Sequence, residues 1–425
     1  MIDPSRARTS SPPSELLAEV AALSRHFGRD PAFTRGGGGN SSGKADGVLY
    51  IKPSGVSLAT LTPRSLMPLA MEPLLAVLAG LDVDAGASLP GSEAVLRIGM
   101  AARLDPADHR RPSVELIFHA LLPERIVIHT HPTIVNALTC ATRGQELATE
   151  ILGDGALWIP YTTPGLPLAR RIADEREAHV MRTGHAAPPV LLLQNHGLIV
   201  AGAGPQEIIE RSSAVVSAIR GLIEASDVPA AADRTPTPGA DATGPLVRAI
   251  AAAIADEVGR DGQPSVVVPD MSAPALRLAT TEAGRSFVHG GPLTPDQIVY
   301  AGSWPLLVAN APSDRGRADD RVAGSVRDRL REHIAANHEP PAIIVVEAVG
   351  VFAVAASAGS AGTVRDTYLD AIRVAEGAAR LGGVRPLAPE DRRFIEAWEA
   401  EAYRRGVAAA GDAGAGDGSA GAPPG

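Results

Sequence analysis

The sequence predicts an α/β protein of two folded units, and three observations carry that prediction. Segments with apolar residues at helical spacing alternate with short β-branched runs bounded by turn residues. A stretch mixing Pro, Gly, Ala and Asp, AADRTPTPGADATG within residues 225–244, separates two apolar-rich regions. Hydrophobic residues make up 45% of the 425 and charged residues 20%, enough apolar material for packed cores. The expected organisation is a disordered N-terminus at 1–13, a first domain at 14–224, a linker at 225–244, a second, smaller and non-catalytic α/β domain at 245–405 and a disordered low-complexity tail at 406–425.

In chain order, a helix is expected over 14–27, where Leu16, Leu17, Val20, Leu23 and Phe27 recur at helical spacing. Residues 34–43, rich in glycine, read as a loop and 48–52 as a strand. Pro112-Ser113 opens a helix over 114–122, and 125–131 alternates like a strand. The run 190–193, between Pro188-Pro189 and Asn195-His196-Gly197, reads as a buried strand, with 198–201 as its hairpin or bulged extension. An amphipathic helix is expected over 206–223. In the second unit, PPAIIVVEAVGVFAVA at 340–355 echoes PPVLLLQNHGLIVAG at 188–202, and with one inserted residue His196 falls near Val349. Either two apolar strands are alike by chance, or the unit is a degenerate repeat that has lost a polar residue at this position.

The formal net charge of −9 offers no basic footprint, so no nucleic-acid partner is expected. The single cysteine, Cys140, excludes an intramolecular disulfide and a thiolate-only metal site, and a reducing, cytoplasmic setting is expected. No charged n-region followed by an apolar h-region opens the chain, and no run of about eighteen apolar residues occurs, so neither signal peptide nor membrane span is expected. Only two of the 39 basic residues are lysines, Lys44 and Lys52, and both flank one glycine-rich segment.

Three histidines suggest a metal. His129 and His131 in IVIHTHP are two apart on a predicted strand and so share a face. His196 lies in QNHGL at the end of another buried strand. Three neutral imidazoles leave a divalent cation an open coordination position, the arrangement of a catalytic site. Glu115, in PSVELIFHALL, is the nearby carboxylate: it either faces the positive end of the helix it opens or moves protons beside the metal. His119 shares its helical face and is either a partner at one remove from the metal or, the preferred reading, a satisfied half-buried histidine. Gly38 to Lys44 nominally fits a nucleotide-binding GxxxxGK loop, but Ala45 replaces the magnesium-binding hydroxyl and a strand follows where a helix is needed. The glycine loop with Asn40 and Ser41, the turn Pro53-Ser54-Gly55 and the helix start at Ser113 either are ordinary turns or offer donors to a smaller phosphate.

In their order, GGGGNSSGKADGVLYIKPSG, PSVELIFHALLPERIVIHTHP, IPYTTPG and QNHGLIVAG resemble the class II aldolase/adducin family. The spacing from Glu115 to His129 with HALLP between is most similar to the aldolase part of bifunctional rhamnulose-1-phosphate aldolase/alcohol dehydrogenases. GPLTPDQIVY and EAWEAEAYRR resemble the segment that follows that aldolase part, whereas no Rossmann fingerprint is present. The resemblance implies a three-layer fold around a central, mostly antiparallel sheet, and a homo-oligomer. It implies Zn2+, or another divalent metal, held by His129, His131 and His196, with Glu115 as acid/base in the retro-aldol cleavage of a ketose phosphate through a metal-stabilised enediolate. Gly38, Asn40, Lys52, Ser54, Gly55 and Ser113 would bind the small-molecule sugar phosphate, with Lys44 near its anionic end and Tyr161 either lining the site or packed in the core. Val114 replaces a frequent serine of that cradle. Epimerisation, dehydration or decarboxylation would use the same metal site, while an adducin-like scaffold would have lost its ligands.

Overall fold

The computed structural model describes residues 13–78, 80, 91–226, 243–259, 265–309 and 318–398. The expected disorder at 1–13 and 406–425, and the linker as far as residue 242, fall almost entirely outside the described residues. The chain divides into two compact units, one of residues 1–139 and 145–222, the other of 140–144 and 223–425.

The first unit runs α1 (Ser14–Gly28), β1 (Asn40–Ala45), β2 (Val48–Ile51), β3 (Met67–Ala70), α2 (Met71–Ala76), α3 (Gly91–Ala101), α4 (Leu116–Leu121), β4 (Ile126–Thr130), α5 (Thr133–Thr139), α6 (Gly144–Leu152), β5 (Leu157–Ile159), α7 (Leu166–Thr183), β6 (Val190–Leu193), β7 (Gly197–Gly202) and α8 (Pro205–Glu224). Its seven strands form one sheet in the order β3-β2-β1-β4-β7-β6-β5. Every pairing is antiparallel except β5 with β6, so the sheet is mostly antiparallel as expected.

Alternation along the strands assigns the two faces. Leu49, Ile51, Met67, Leu69, Val127, Leu191, Leu193 and Ile199 join one core with Leu116, Ile117 and Phe118 of α4 and Leu168 and Ile172 of α7. On the opposite face α1 lies against β1. A side chain at Gly43 would stand 2.8 Å from Leu16 and Val20, so the glycine lets the helix seat on the strand. Ser24 of α1 meets Ser41 of β1 oxygen to oxygen at 2.7 Å. The glycine-rich loop therefore ends sooner than expected: Asn40–Gly43 are strand, paired to β2 on one side and β4 on the other. Helix α4 also starts later than expected, at Leu116, because Ser113–Glu115 form the turn that precedes it.

The second unit contains α9 (Thr243–Val258), β8 (Val266–Asp270), α10 (Ala273–Thr280), α11 (Glu282–Gly290), β9 (Leu306–Val308), α12 (Ala318–Asn337), β10 (Ile343–Val346), β11 (Gly350–Ala355), α13 (Ala358–Arg380) and α14 (Pro389–Ala397), with a π-helical turn at Gln297–Ala301. Helix α9 begins at Thr243, which shortens the expected linker by two residues. The four strands are ordered β8-β11-β10-β9, with only β9 and β10 parallel.

This order and these directions repeat β4-β7-β6-β5, and the agreement reaches single residues. The hairpins β6–β7 and β10–β11 each turn over three residues, with a non-glycine residue at positive φ in the middle, Asn195 at 54° and Ala348 at 59°. The amide of His196 bonds Leu193 O as that of Val349 bonds Val346 O. Gln194 N–H reaches Ile159 O, the last residue of β5, and Glu347 N–H reaches Val308 O, the last residue of β9. The strand registers then place Pro269 at the position of His129 and Met271 at that of His131. The second unit is a degenerate repeat, with Pro269, Met271 and Val349 where the first has three histidines.

Lys44 lies at the end of β1 away from Asn40. Its Nζ donates to Leu122 O and Glu124 O, at 2.5 and 2.7 Å, where the chain leaves α4. Burial pushes its pKa down to about 8, opposed in part by Glu124. Because the folded pKa lies below the ordinary 10.5, the unfolded chain binds more protons between about pH 8 and 10.5, and this group's contribution to stability rises with pH across that window. Urea midpoints of wild type and Lys44→Met, compared from pH 7.5 to 10.5, should shift in favour of wild type as pH rises; a constant difference would contradict this assignment.

Candidate metal centre

The site assembles where β4 ends. His129 is the fourth residue of this strand, and its backbone partners are Asn40 on β1 and Ile199 on β7. Directly paired residues point to the same side of a sheet, so Asn40, Ser42 and His129 all face α4. His131 follows the strand, its N–H bonded to Phe33 O. His196 comes from the β6–β7 turn, which the left-handed Asn195 reverses.

The three imidazoles converge. His131 Nε2 is 2.9 Å and His196 Nε2 3.3 Å from His129 Nε2, and the rings meet edge-on or tilted with centroids 4.7 to 5.1 Å apart. Two imidazole nitrogens bound tetrahedrally to one zinc ion at about 2.0–2.1 Å would stand about 3.3 Å apart. His129 Nδ1 lies 3.0 Å from Leu198 O, a carbonyl that can only accept, so the proton sits on Nδ1 and the Nε2 lone pair faces the other two rings. These residues form the only cluster of three or more metal-ligating groups among the described residues, and they fit a divalent cation.

Glu115 enters from the turn before α4. It does not cap the helix; its Oε2 instead accepts 2.6 Å from Asn40 Nδ2. Its Oε1 has no hydrogen-bond partner among the described residues although it is buried, and stands 3.6 Å from His196 Nε2. Oε2 is 3.7 Å from His129 Nε2. A carboxylate that is 4% exposed and satisfied on one oxygen alone is expensive to bury without a further partner. A cation at the adjacent histidines supplies one.

Of the remaining expected residues, Asn40 and Ser113 meet directly, Nδ2 to Oγ at 3.3 Å, and Ser113 Oγ also accepts from Glu115 N–H. Pro53 bridges Pro112 and the Ser54 N–H donates to Arg111 O, which lays the Ser54-Gly55 turn beside the segment that carries Ser113. Lys52 is buried beneath this turn, its Nζ 2.6 Å from Val56 O. Gly38 closes a tight turn onto Arg35 O two residues before Asn40. Gly165 of the IPYTTPG segment approaches Val114 O, bringing that loop beside Glu115's turn, and Tyr161 is half-buried there. Lys44, expected nearby, is four strand residues from Asn40, about 13 Å along β1. His119 is satisfied as expected but lies deeper than expected: it is wholly buried and bonded at both ring nitrogens, to Ser42 Oγ and Asn40 Oδ1. Its spacing to Glu115 was the only sequence signal, since both partners lie on a distant strand.

Two family models match this chain. Residues 18–223 match the model of the class II aldolase and adducin N-terminal domain, and residues 240–404 match that of the class II aldolase second domain. The uncharacterized oxidoreductase YuxG of Bacillus subtilis (strain 168) is 24% identical over 91% of this chain, which spans 58% of that protein's length. The N-terminal class II aldolase domain of a conserved Thermoplasma acidophilum protein is 28% identical, with a TM-score of 0.40 over 48% of this chain and 92% of that one. L-fuculose-1-phosphate aldolase from Thermus thermophilus is 19% identical, with a TM-score of 0.29 over 48% and 91% of the two chains. No helix among the described residues is long and apolar enough to cross a membrane.

Gly197 tests the packing of the centre. A Cβ there would stand 2.5 Å from Thr130 O, 2.8 Å from the His131 ring and 3.3 Å from the His129 ring. Gly197→Ala should cost about 1–3 kcal/mol of stability and weaken Zn2+ binding in calorimetry, while His131→Ala should abolish tight binding with the fold retained. Wild-type affinity in both variants would refute the three-histidine centre.

Proposed function

The chain belongs to the class II aldolase and adducin family, and from that premise we propose that it is a metal-dependent aldehyde-lyase cleaving a ketose phosphate by a retro-aldol reaction. The observation that carries the reading is the buried Glu115 Oε1, without a hydrogen-bond partner among the described residues, beside three converging imidazoles. An adducin-like scaffold would have no need to keep four such groups together.

His129, His131 and His196 would hold the divalent cation, zinc in our reading. When bound, the cation acts as a Lewis acid toward the oxygens on which negative charge develops. The proton work falls to Glu115. Because Asn40 occupies Oε2, the proton taken from the substrate hydroxyl is placed on Oε1. As the carbon–carbon bond breaks, its electron pair passes to the carbonyl-bearing fragment, and the proton returns to that fragment's terminal carbon while the other fragment leaves as an aldehyde. Asn40, Ser54, Gly55 and Ser113 are assigned to the phosphate, supported by the Asn40–Ser113 contact and the bridge that aligns the two turns. Gly38 shapes the loop leading to Asn40, and Lys52 sets a buried cation beneath the Ser54 turn.

A metal-loaded assay over ketose 1-phosphates, headed by rhamnulose 1-phosphate because of the HALLP spacing, tests the reading. Dihydroxyacetone phosphate and an aldehyde should be released. Glu115→Gln should lower kcat by about 10²- to 10⁴-fold with metal content unchanged. An epimerised, dehydrated or decarboxylated product would replace the lyase assignment.

A further inference from the structure

The hydrogen bonds behind Glu115 form a single chain whose direction can be read from its ends. A carboxylate oxygen accepts, so Asn40 must turn its Nδ2 to Glu115 Oε2, at 2.6 Å. This leaves Asn40 Oδ1 toward His119 Nε2, which must therefore carry the proton. His119 Nδ1 is then an acceptor, 2.7 Å from Ser42 Oγ, whose hydroxyl donates. All four side chains are buried or nearly so: Asn40 is 3% exposed, Ser42 and His119 are 0% and Glu115 is 4%. Because all four are shielded from bulk solvent, reversing any one member would set two acceptors or two donors face to face.

We propose that His119 is a positioning residue for the reaction: as the neutral Nε2–H tautomer, with Ser42 donating to its Nδ1, it anchors Asn40 Oδ1 from the side opposite Glu115 and thereby commits Glu115 Oε2 to accepting and Oε1 to proton transfer. Phe118 holds the ring in plane by stacking at 4.6 Å, and burial keeps the imidazole neutral by moving its pKa well below the usual histidine range. Without His119 the Asn40 amide keeps its Nδ2 toward the carboxylate but loses the donor at Oδ1 that fixes its position. The effect reaches the reacting proton through Asn40, and His119 itself touches neither substrate nor cation. This inference rests on the reading of Glu115 as the proton-transfer group.

Its first test needs no substrate. Nitrogen NMR of histidine-labelled, metal-free protein should show His119 as the neutral Nε2–H tautomer at pH 7, and Ser42→Ala should shift its Nδ1 resonance while leaving the proton on Nε2. The second test uses the ketose phosphate that the wild type turns over. His119→Phe, matched in ring size, should lower kcat by about 10- to 100-fold with KM and metal content unchanged, and Ser42→Ala should act in the same direction more weakly. A residue needed only for stability would lower Tm and leave kcat per folded molecule intact. An Nδ1–H or charged His119, or a full kcat in either variant, overturns the proposal. A wild type that fails to cleave any ketose phosphate would overturn the lyase reading instead, leaving the tautomer measurement to judge the hydrogen-bond chain. If His119→Phe does not fold, Ser42→Ala and that measurement still decide it.

Discussion

The pairing of β4 between β1 and β7 is the constraint on which the first unit depends. Its five residues are fully buried and bonded on both edges, so register is strongly specified: a slip by one residue would turn every side chain to the opposite face. That register sets Asn40 and Ile199 on either side of His129. It also brings the β6–β7 turn, with His196, against the end of the strand. Gly197 is demanded by the same closeness, because Thr130 O occupies the space a Cβ would need.

The second unit shows what this architecture does without the ligands. It keeps the hairpin with a left-handed central residue, the glycine pressed against the neighbouring strand and the parallel third strand. The three histidines are replaced, with Pro269, Met271 and Val349 at their positions. The topology offers a reason why proline is tolerated at one of them. β8 is an edge strand, where a missing N–H breaks no ladder, whereas β4 is central because β1 pairs with its other side. Strand order and the histidine set are thus separable within one chain.

Much of the metal centre was legible in the sequence because its determinants are local. Two histidines at i and i+2 on a β-branched run share a face whatever they pack against, and a third beside Asn195-Gly197 marks a tight reversal at a strand end. The carboxylate was legible as well, through its position at the start of a short helix. What was misjudged is non-local. Asn40–Gly43 looked like loop because glycine and serine are poor strand formers, yet a central strand beneath α1 has room for little else. Lys44 looked like a substrate ligand because it is rare, but the carbonyls that claim its ammonium come from residues about eighty positions away.

His119 draws the line most sharply. Sequence establishes that it shares a helical face with Glu115, since four residues make about one turn. It also establishes the family, the alternation of helices and strands, the two-unit division and the three candidate ligand histidines, all of which follow from short-range spacing and ordered motifs. Folding alone settles the rest: which nitrogen of His119 carries its proton, which oxygen of Glu115 remains available and which lysine lies near the site. Those outcomes depend on hydrogen bonds between β1 and α4, separated by more than seventy residues in sequence. Their direction is set by burial, because only in the absence of water must every donor find an acceptor.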